Sequence, residues 1–169
     1  QQAGVVVRTM DSRAGAADFG QTALTVLHPP PGFFSQPGQI GQEVRNNGSL
    51  VVKVAHGQTA FLITGDIMVQ AEQELVDRMG NELASTVLFA PHHGSRSSSS
   101  LELVAAVQPR VVVISAGAGN RFGFPHAEVI ERYRAAGSRT VCTATHGAVA
   151  VRSDGQRVHL TVFTGSGRH

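Results

Sequence analysis

Apolar and polar positions along the chain fall into two regimes that change at about Gln42. Residues 1–42 are rich in Gly, Pro and Gln and show little period. Within them residues 23–27 read as a strand and 5–9 as a second candidate, while Pro29-Pro30-Pro31-Gly32 requires an extended loop or turn. From Ser49 the pattern becomes regular. Residues 49–55 and 59–64 are β-rich runs separated by His56-Gly57-Gln58, a hairpin pattern. Ile67, Ala71, Leu75 and Met79 then recur every four residues and predict an amphipathic helix over 67–79, ended by Gly80-Asn81.

Strands and helices alternate after that. A short buried strand is predicted at 86–90 and a helix at 101–107, capped from within the run Ser97-Ser98-Ser99-Ser100. An almost purely aliphatic strand follows at 110–115. A helix at 126–136 carries Val129, Ile130 and Tyr133 on one face and is closed by Gly137. Strands at 140–143, 148–152 and 157–163 complete the pattern as a terminal meander, and 165–169 form a tail. The expectation is one α/β layered domain, with 1–42 as an irregular segment of it and 43–164 as its regular part.

Composition narrows the class. With 169 residues, 41% of them hydrophobic and 15% charged, the chain can bury one core and is too apolar for wholesale disorder. No apolar run approaches the roughly 18 residues of a membrane span. The lone Cys142 excludes an internal disulfide and a thiolate-cluster zinc site. Fourteen Lys+Arg against 12 Asp+Glu leave a net charge of +2, and every basic residue but Lys53 is Arg. That balance permits a polyanionic partner without requiring one, and no block of like charge marks a nucleic-acid tail.

Three segments place polar, metal-capable residues directly after buried strands: Ile63-Thr64-Gly65-Asp66, Phe89-Ala90-Pro91-His92-His93-Gly94-Ser95, and the loop from Gly117 to Pro125 that ends in His126. In layered α/β folds ligands gather beyond the carboxyl ends of strands, so the three can converge on one sheet edge. An Asp oxygen with imidazole nitrogens suits a divalent cation. Each piece also has a plainer reading. Asp66 can cap the helix that follows it. His92, His93 and His126 can be polar loop or helix-start residues. The Ser95, Arg96, Ser97 stretch is either a flexible loop or a phosphate cradle at a helix N-terminus. Cys142 reads as a small buried residue on its strand.

Together the segments Leu24-Thr25-Val26-Leu27-His28-Pro29-Pro30, Asn46-Asn47-Gly48-Ser49-Leu50-Val51, Leu62-Ile63-Thr64-Gly65-Asp66, Ala90-Pro91-His92-His93-Gly94-Ser95 and Val113-Ile114-Ser115 through Asn120-Arg121-Phe122-Gly123-Phe124-Pro125-His126 are more specific than any one alone. In order and spacing they resemble the metallo-β-lactamase-fold domain of the ComEC-type competence proteins, over about residues 20–152. The resemblance implies a four-layer αββα hydrolase fold with two divalent ions, Mn or Zn, and a nuclease acting on DNA during uptake in natural transformation. It implies Asp66 as the carboxylate bridging the metals and His126 as a ligand of the second. His92 and His93 are implied as ligand and transition-state donor, in an order left open. Two cations with a bridging carboxylate can hold a hydroxide and clamp a phosphodiester. Ser95, Arg96, Ser97 and Arg121 are the candidate phosphate or DNA contacts.

One departure divides the expectation. The family's early His-x-His-x-Asp-His motif, or its His-x-Asp-x-Asp-His form, has no counterpart in residues 1–65, and Phe124 stands where the family often has a His. Either the chain is the C-terminal portion of such a domain, lacking its N-terminal part, or the metal site is lost. The retained Asp66, His92, His93 and His126 favour a portion, since such groups are costly to bury without a purpose. As a portion it would be weakly active or inactive alone. Its expected partners are then incoming or single-stranded DNA, the missing N-terminal part, the membrane channel of the parent protein at the extracytoplasmic face, and a second copy through an uncovered sheet edge. Two alternatives stay open: a small-substrate phosphoester hydrolase of the same fold, and a non-catalytic DNA- or partner-binding module.

Overall fold

The computed structural model describes residues 16–34 and 41–164. Its main sheet has seven strands in chain order: β1 (Ala16–Phe19), β2 (Thr22–His28), β3 (Val51–His56), β4 (Thr59–Ile63), β5 (Val87–Phe89), β6 (Val111–Ile114) and β7 (Arg139–Cys142). The first four pair antiparallel and β4 to β7 pair parallel. Parallel neighbours need crossovers, and these are α2 (Val69–Met79), α3 (Leu101–Val107) and α4 (Ala127–Ala135). The short α1 (Gln42–Asn47) precedes β3, and the single turn α5 (Thr143–His146) follows β7. A hairpin of β8 (Ala148–Ser153) and β9 (Val158–Phe163) makes a second sheet.

Alternation along each strand divides the core in two. Leu62, Leu88, Val112 and Ile114 pack with Ile67 and with Ala71 and Leu75 of α2, Leu103 and Val107 of α3, and Val129 and Tyr133 of α4. Their neighbours Phe61, Val87, Phe89, Val111 and Val113 meet Val149 and Val151 of β8 and Val158 and Leu160 of β9. The layers are thus helices, mixed sheet and hairpin. Cover on both faces is why β6 reads as an unbroken aliphatic run.

Several details differ from the sequence expectation. The terminal meander divides: Arg139–Cys142 joins the main sheet parallel to β6, since Val141 is needed in its core, and only 148–163 fold into the hairpin. Within the segment expected to be irregular, β1 pairs with β2. The helix α1 carries no apolar period in Gln-Glu-Val-Arg-Asn-Asn and so gave no signal. The candidate strand at 5–9 and the tail at 165–169 lie outside the described residues. Cys142 is buried on β7.

One buried charge ties the helical layer together. Glu72 on α2 is fully buried, and its carboxylate accepts the Ser99 N–H at 2.5 Å and the Ser100 N–H at 2.7 Å. Ser100 caps α3 by accepting the Leu103 N–H at its Oγ. From α4, Arg132 donates to the Ser98 and Ser99 carbonyls and Tyr133 donates its hydroxyl to Ser99 Oγ at 2.7 Å. Burial pushes the Glu72 carboxyl above its ordinary range, partly offset by these amides and by Arg132.

Glu72→Gln keeps the shape but sets an amide NH2 against an N–H donor, and should cost about 1–3 kcal/mol of stability at neutral pH. The folded chain holds the Glu72 proton more tightly than the unfolded one, whose value is about 4.3. The Glu72 contribution is therefore full below that value and declines as pH rises through the folded one. Urea unfolding at pH 4 and pH 7 should show the wild-type lead over Glu72→Gln shrinking with rising pH. A lead that grows would contradict this.

Candidate functional site

The loop after β4 is held from beneath by the segment before β3. Thr64 is buried and donates its hydroxyl to the Phe89 carbonyl at 2.8 Å. Gly65 then turns with φ +58°, and a Cβ there would lie 2.9 Å from that of Ser49. Ser49 Oγ accepts the Asp66 N–H at 3.1 Å, and Asn47 Oδ1 accepts the Met68 N–H at 2.9 Å. The Asn47 carbonyl in turn accepts from Nε2 of His28 at 2.6 Å. His28 is fully buried at the end of β2, and burial holds its imidazole below the ordinary value, so it stays neutral. The N-cap of α2 is Met68, with no side-chain cap. Asp66 therefore does not cap the helix, and its half-exposed carboxylate faces the next loop.

That loop holds backbone strain. His92 and His93 follow Pro91 with φ of +47° and +57°, and Gly94 with +78°. Successive non-glycine residues in the left-handed region cost about 1–2 kcal/mol each and mark functional sites more often than structural ones. The turn is pinned by His92 N–H to the Gly65 carbonyl, Ser95 N–H to the His92 carbonyl and His126 N–H to the Gly94 carbonyl, all at 3.0 Å. His93 Nδ1 lies 2.7 Å from the Ser115 carbonyl, which can only accept, so Nδ1 carries a proton and donates it there. Nε2 lies 3.6 Å from Asp66 Oδ1, with the two side chains 48% and 45% exposed. Nδ1 of His92 is buried with no partner among the described residues.

The third segment is the loop after β6. Asn120 organises it, donating from Nδ2 to the carbonyls of Gly117 at 2.9 Å and Phe124 at 2.7 Å, and accepting the Phe124 N–H at 3.0 Å. The Phe124 ring is thereby set among three imidazoles, with centroids 5.6 Å from His92, 6.2 Å from His93 and 5.5 Å from His126. Phe122 stacks on Phe124 at 5.4 Å. A cavity of about 390 Å³ opens beside them, lined by His93, Ser115, Asn120, Phe122, Phe124 and Thr143 among others. A cavity of about 650 Å³ lies at the opposite ends of the parallel strands near Thr86 and Arg110, away from all these groups.

The three loops expected at one sheet edge meet there, and Asp66 and His93 face each other. His126 is the N-cap of α4, its N–H bonded to the Gly94 carbonyl and its ring 5.5 Å from that of Phe124. Among the described residues no three His, Cys, Asp or Glu side chains gather to hold a metal ion. The ligand set Asp66, His93 and His126 is thus not gathered among the described residues; of the three, Asp66 and His93 approach each other. Several groups of the expected phosphate cradle have partners within the chain. The Ser99 and Ser100 amides are taken by Glu72, the hydroxyls of Ser95 and Ser97 bond each other at 3.0 Å, and Arg96 pairs with Glu128 at 3.0 Å. Only Arg121 of that group has no ion pair among the described residues. Sequence reasoning passed over Ser49, Asn47 and His28 as supports, although the Asn46-Asn47-Gly48-Ser49 turn signal was there to find.

No family model matches the chain. Among curated proteins it is 38% identical over 120 residues to the uncharacterized protein YcaI of Escherichia coli K12, covering 71% of this chain and 16% of that protein. It is 33% identical over 108 residues to ComE operon protein 3 of Bacillus subtilis 168 (64% and 14%) and 37% over 116 residues to competence protein ComA of Neisseria gonorrhoeae (69% and 17%). The chain is similar to competence-related proteins. It spans about one sixth of the length of the relatives it matches. No helix among its described residues is long and apolar enough to cross a membrane.

The fit of Gly94 against Pro125 is testable. A Cβ at Gly94 would stand 2.7 Å from Pro125 Cβ, whereas one at Gly119, also at positive φ, meets nothing within 4 Å. Gly94→Ala should lose about 1–3 kcal/mol more in urea unfolding than Gly119→Ala, the excess being steric. Equal losses would show that the two loops do not press together.

Proposed function

We propose that this chain is the C-terminal portion of a metallo-β-lactamase-like domain in a competence-related protein, and that the complete domain is a metal-dependent phosphodiesterase cutting DNA during uptake. The observation that carries the reading is the Asp66–His93 pair, set at the carboxyl ends of β4 and β5 on a strained turn. The sequence similarity to proteins named for competence supports the process. The succession of helices, mixed sheet and hairpin supports the fold, as three of the four layers of an αββα sandwich.

The donor chemistry fits a divalent cation in part. Asp66 offers an oxygen, and His93 offers Nε2 with its Nδ1–H held by the Ser115 carbonyl, the support a metal-binding histidine usually has. Two donors are fewer than a zinc or manganese ion takes. We propose that an N-terminal part of the same protein supplies the others, including those for a second ion. A bound cation would supply Lewis acidity toward a phosphoryl oxygen and activate water near neutral pH. The residues present would do the rest: Asp66 and His93 would orient the reacting group, and His92, on the same strained turn, would stand beside it as the transition-state donor. The parent protein would carry this domain on the extracytoplasmic side of a membrane channel.

The test is DNA cleavage with Mn²⁺ or Zn²⁺ by the protein containing this segment. Asp66→Asn should lower the rate about 100-fold or more while leaving the unfolding midpoint unchanged. Wild-type cleavage by Asp66→Asn would remove that carboxylate from the mechanism. DNA binding without cleavage under any divalent metal would select a non-catalytic module, the reading favoured by the absence of a three-residue metal cluster among the described residues. Cleavage of small phosphodiesters but not of DNA would select the small-substrate hydrolase.

A further inference from the structure

We propose that Phe122 and Phe124, with Arg121, form a base-stacking subsite for single-stranded DNA beside the Asp66–His93 pair; the inference rests on the nucleic-acid reading of the function. Planar groups follow one another outward from the site. The Phe124 ring lies 28° from the plane of His93, and Phe122 lies 18° from Phe124. The Arg121 guanidinium carbon is 4.8 Å from the Phe122 centroid. The series runs from a ring 3.6 Å from the carboxylate to a cation in solvent.

Three observations separate this series from an ordinary core cluster. Phe122 is 58% exposed, although its neighbour Phe124 is largely covered. A large aromatic ring is left in water only at a cost, and here the loop that presents it is built firmly, by Asn120 spanning Gly117 and Phe124. The rings also wall the cavity of about 390 Å³, within the roughly 300–1,000 Å³ range of small-ligand sites. Finally, Arg121 brings charge complementary to a polyanion onto the aromatic face itself.

This chemistry selects the partner. Nucleobases stack on aromatic faces irrespective of sequence, and an arginine beside the ring adds a contact to the flanking phosphate. In a duplex the base faces are already stacked on their neighbours, so the subsite takes unpaired bases. A base would take the Phe122 face that the Arg121 guanidinium covers, releasing the guanidinium to the flanking phosphate, beside the cavity that His93 also lines. The subsite therefore works as a positioning device: it selects single strands and sets which phosphodiester reaches the pair.

The chain contains no Trp, so Phe122→Trp introduces a single indole that reports on stacking. Titrated in EDTA with oligo-dT and with an abasic strand of equal length, its emission should be quenched by oligo-dT alone, and a duplex of that length should quench far less. By anisotropy, Phe122→Ala should weaken oligo-dT binding about 5- to 150-fold and leave the abasic strand nearly unaffected. Phe122→Leu keeps apolar bulk without the ring plane and should lose affinity to a similar degree. Equal affinity of the wild type for oligo-dT and the abasic strand would overturn the proposal, as would full affinity in Phe122→Leu or equal quenching by duplex. Cleavage is not read, so the outcomes separate. Quenching by a protein without nuclease activity leaves this subsite standing and removes the enzyme; cleavage that ignores the bases does the reverse.

Discussion

The carboxylate of Glu72, fully buried and bonded to two backbone amides, is the constraint on which the arrangement of the helices depends. The N-terminus of a helix attracts negative charge, and the residues before α3 turn their free amides inward. Glu72 supplies that charge from α2, while Arg132 and Tyr133 reach the same turn from α4. Three helices are thereby referred to one point. The same turn follows His92 and His93 by only a few residues, so the position of the imidazoles is inherited from the packing of the helical layer. The other end of the turn is fixed to Gly65, next to Asp66. Asp66 and His93 face each other because each is tied to the same rigid body.

A second constraint works against closure of the site. Phe124 lies against the rings of His92, His93 and His126 and is held there by three hydrogen bonds through Asn120. An aromatic ring cannot donate a lone pair to a cation, so this side of the pair offers no further ligand from Phe124. What remains is a two-donor pair with one apolar wall. Such a surface is suited to hold something flat beside a charged centre.

How much of this could be read from sequence depended on the distance between partners. The β3–β4 hairpin, the aliphatic β6, a cap for α3 from within the Ser97–Ser100 run and the burial of Cys142 follow from neighbouring residues, and all were legible. The convergence of three loops on one edge was legible too, because strand–helix–strand units put successive strand ends on the same side. What failed involved partners far apart. Glu72 is bound to amides 27 and 28 residues away, so the serine run looked like an open anion cradle when its own chain had already filled it. The support of Asp66 by Ser49 crosses 17 residues and that of Asn47 by His28 crosses 19. The ligand role of His126 rested on its place in a motif, and the structure sets its ring against that of Phe124.

The left-handed turn at His92 and His93 shows which demand prevailed. Glycine at either position would relieve about 1–2 kcal/mol of strain, a noticeable part of the roughly 5–15 kcal/mol that holds a domain folded. Among the described residues the hydrogen bonds of the turn run through main-chain atoms, except for those from Nδ1 of His93 to the Ser115 carbonyl and from Ser98 Oγ to the Pro91 carbonyl. Glycines could therefore make the turn and keep its backbone bonds. The side chains are what glycines could not supply. One imidazole is fixed by its Nδ1 so that Nε2 meets Asp66, and the other is left with a buried nitrogen unpartnered among the described residues. Strain and an unsatisfied polar atom both lower stability, and neither is needed for the sheet to form. Their coincidence on adjacent residues at the carboxyl edge of the sheet is the strongest physical reason to place the chemistry of this chain there.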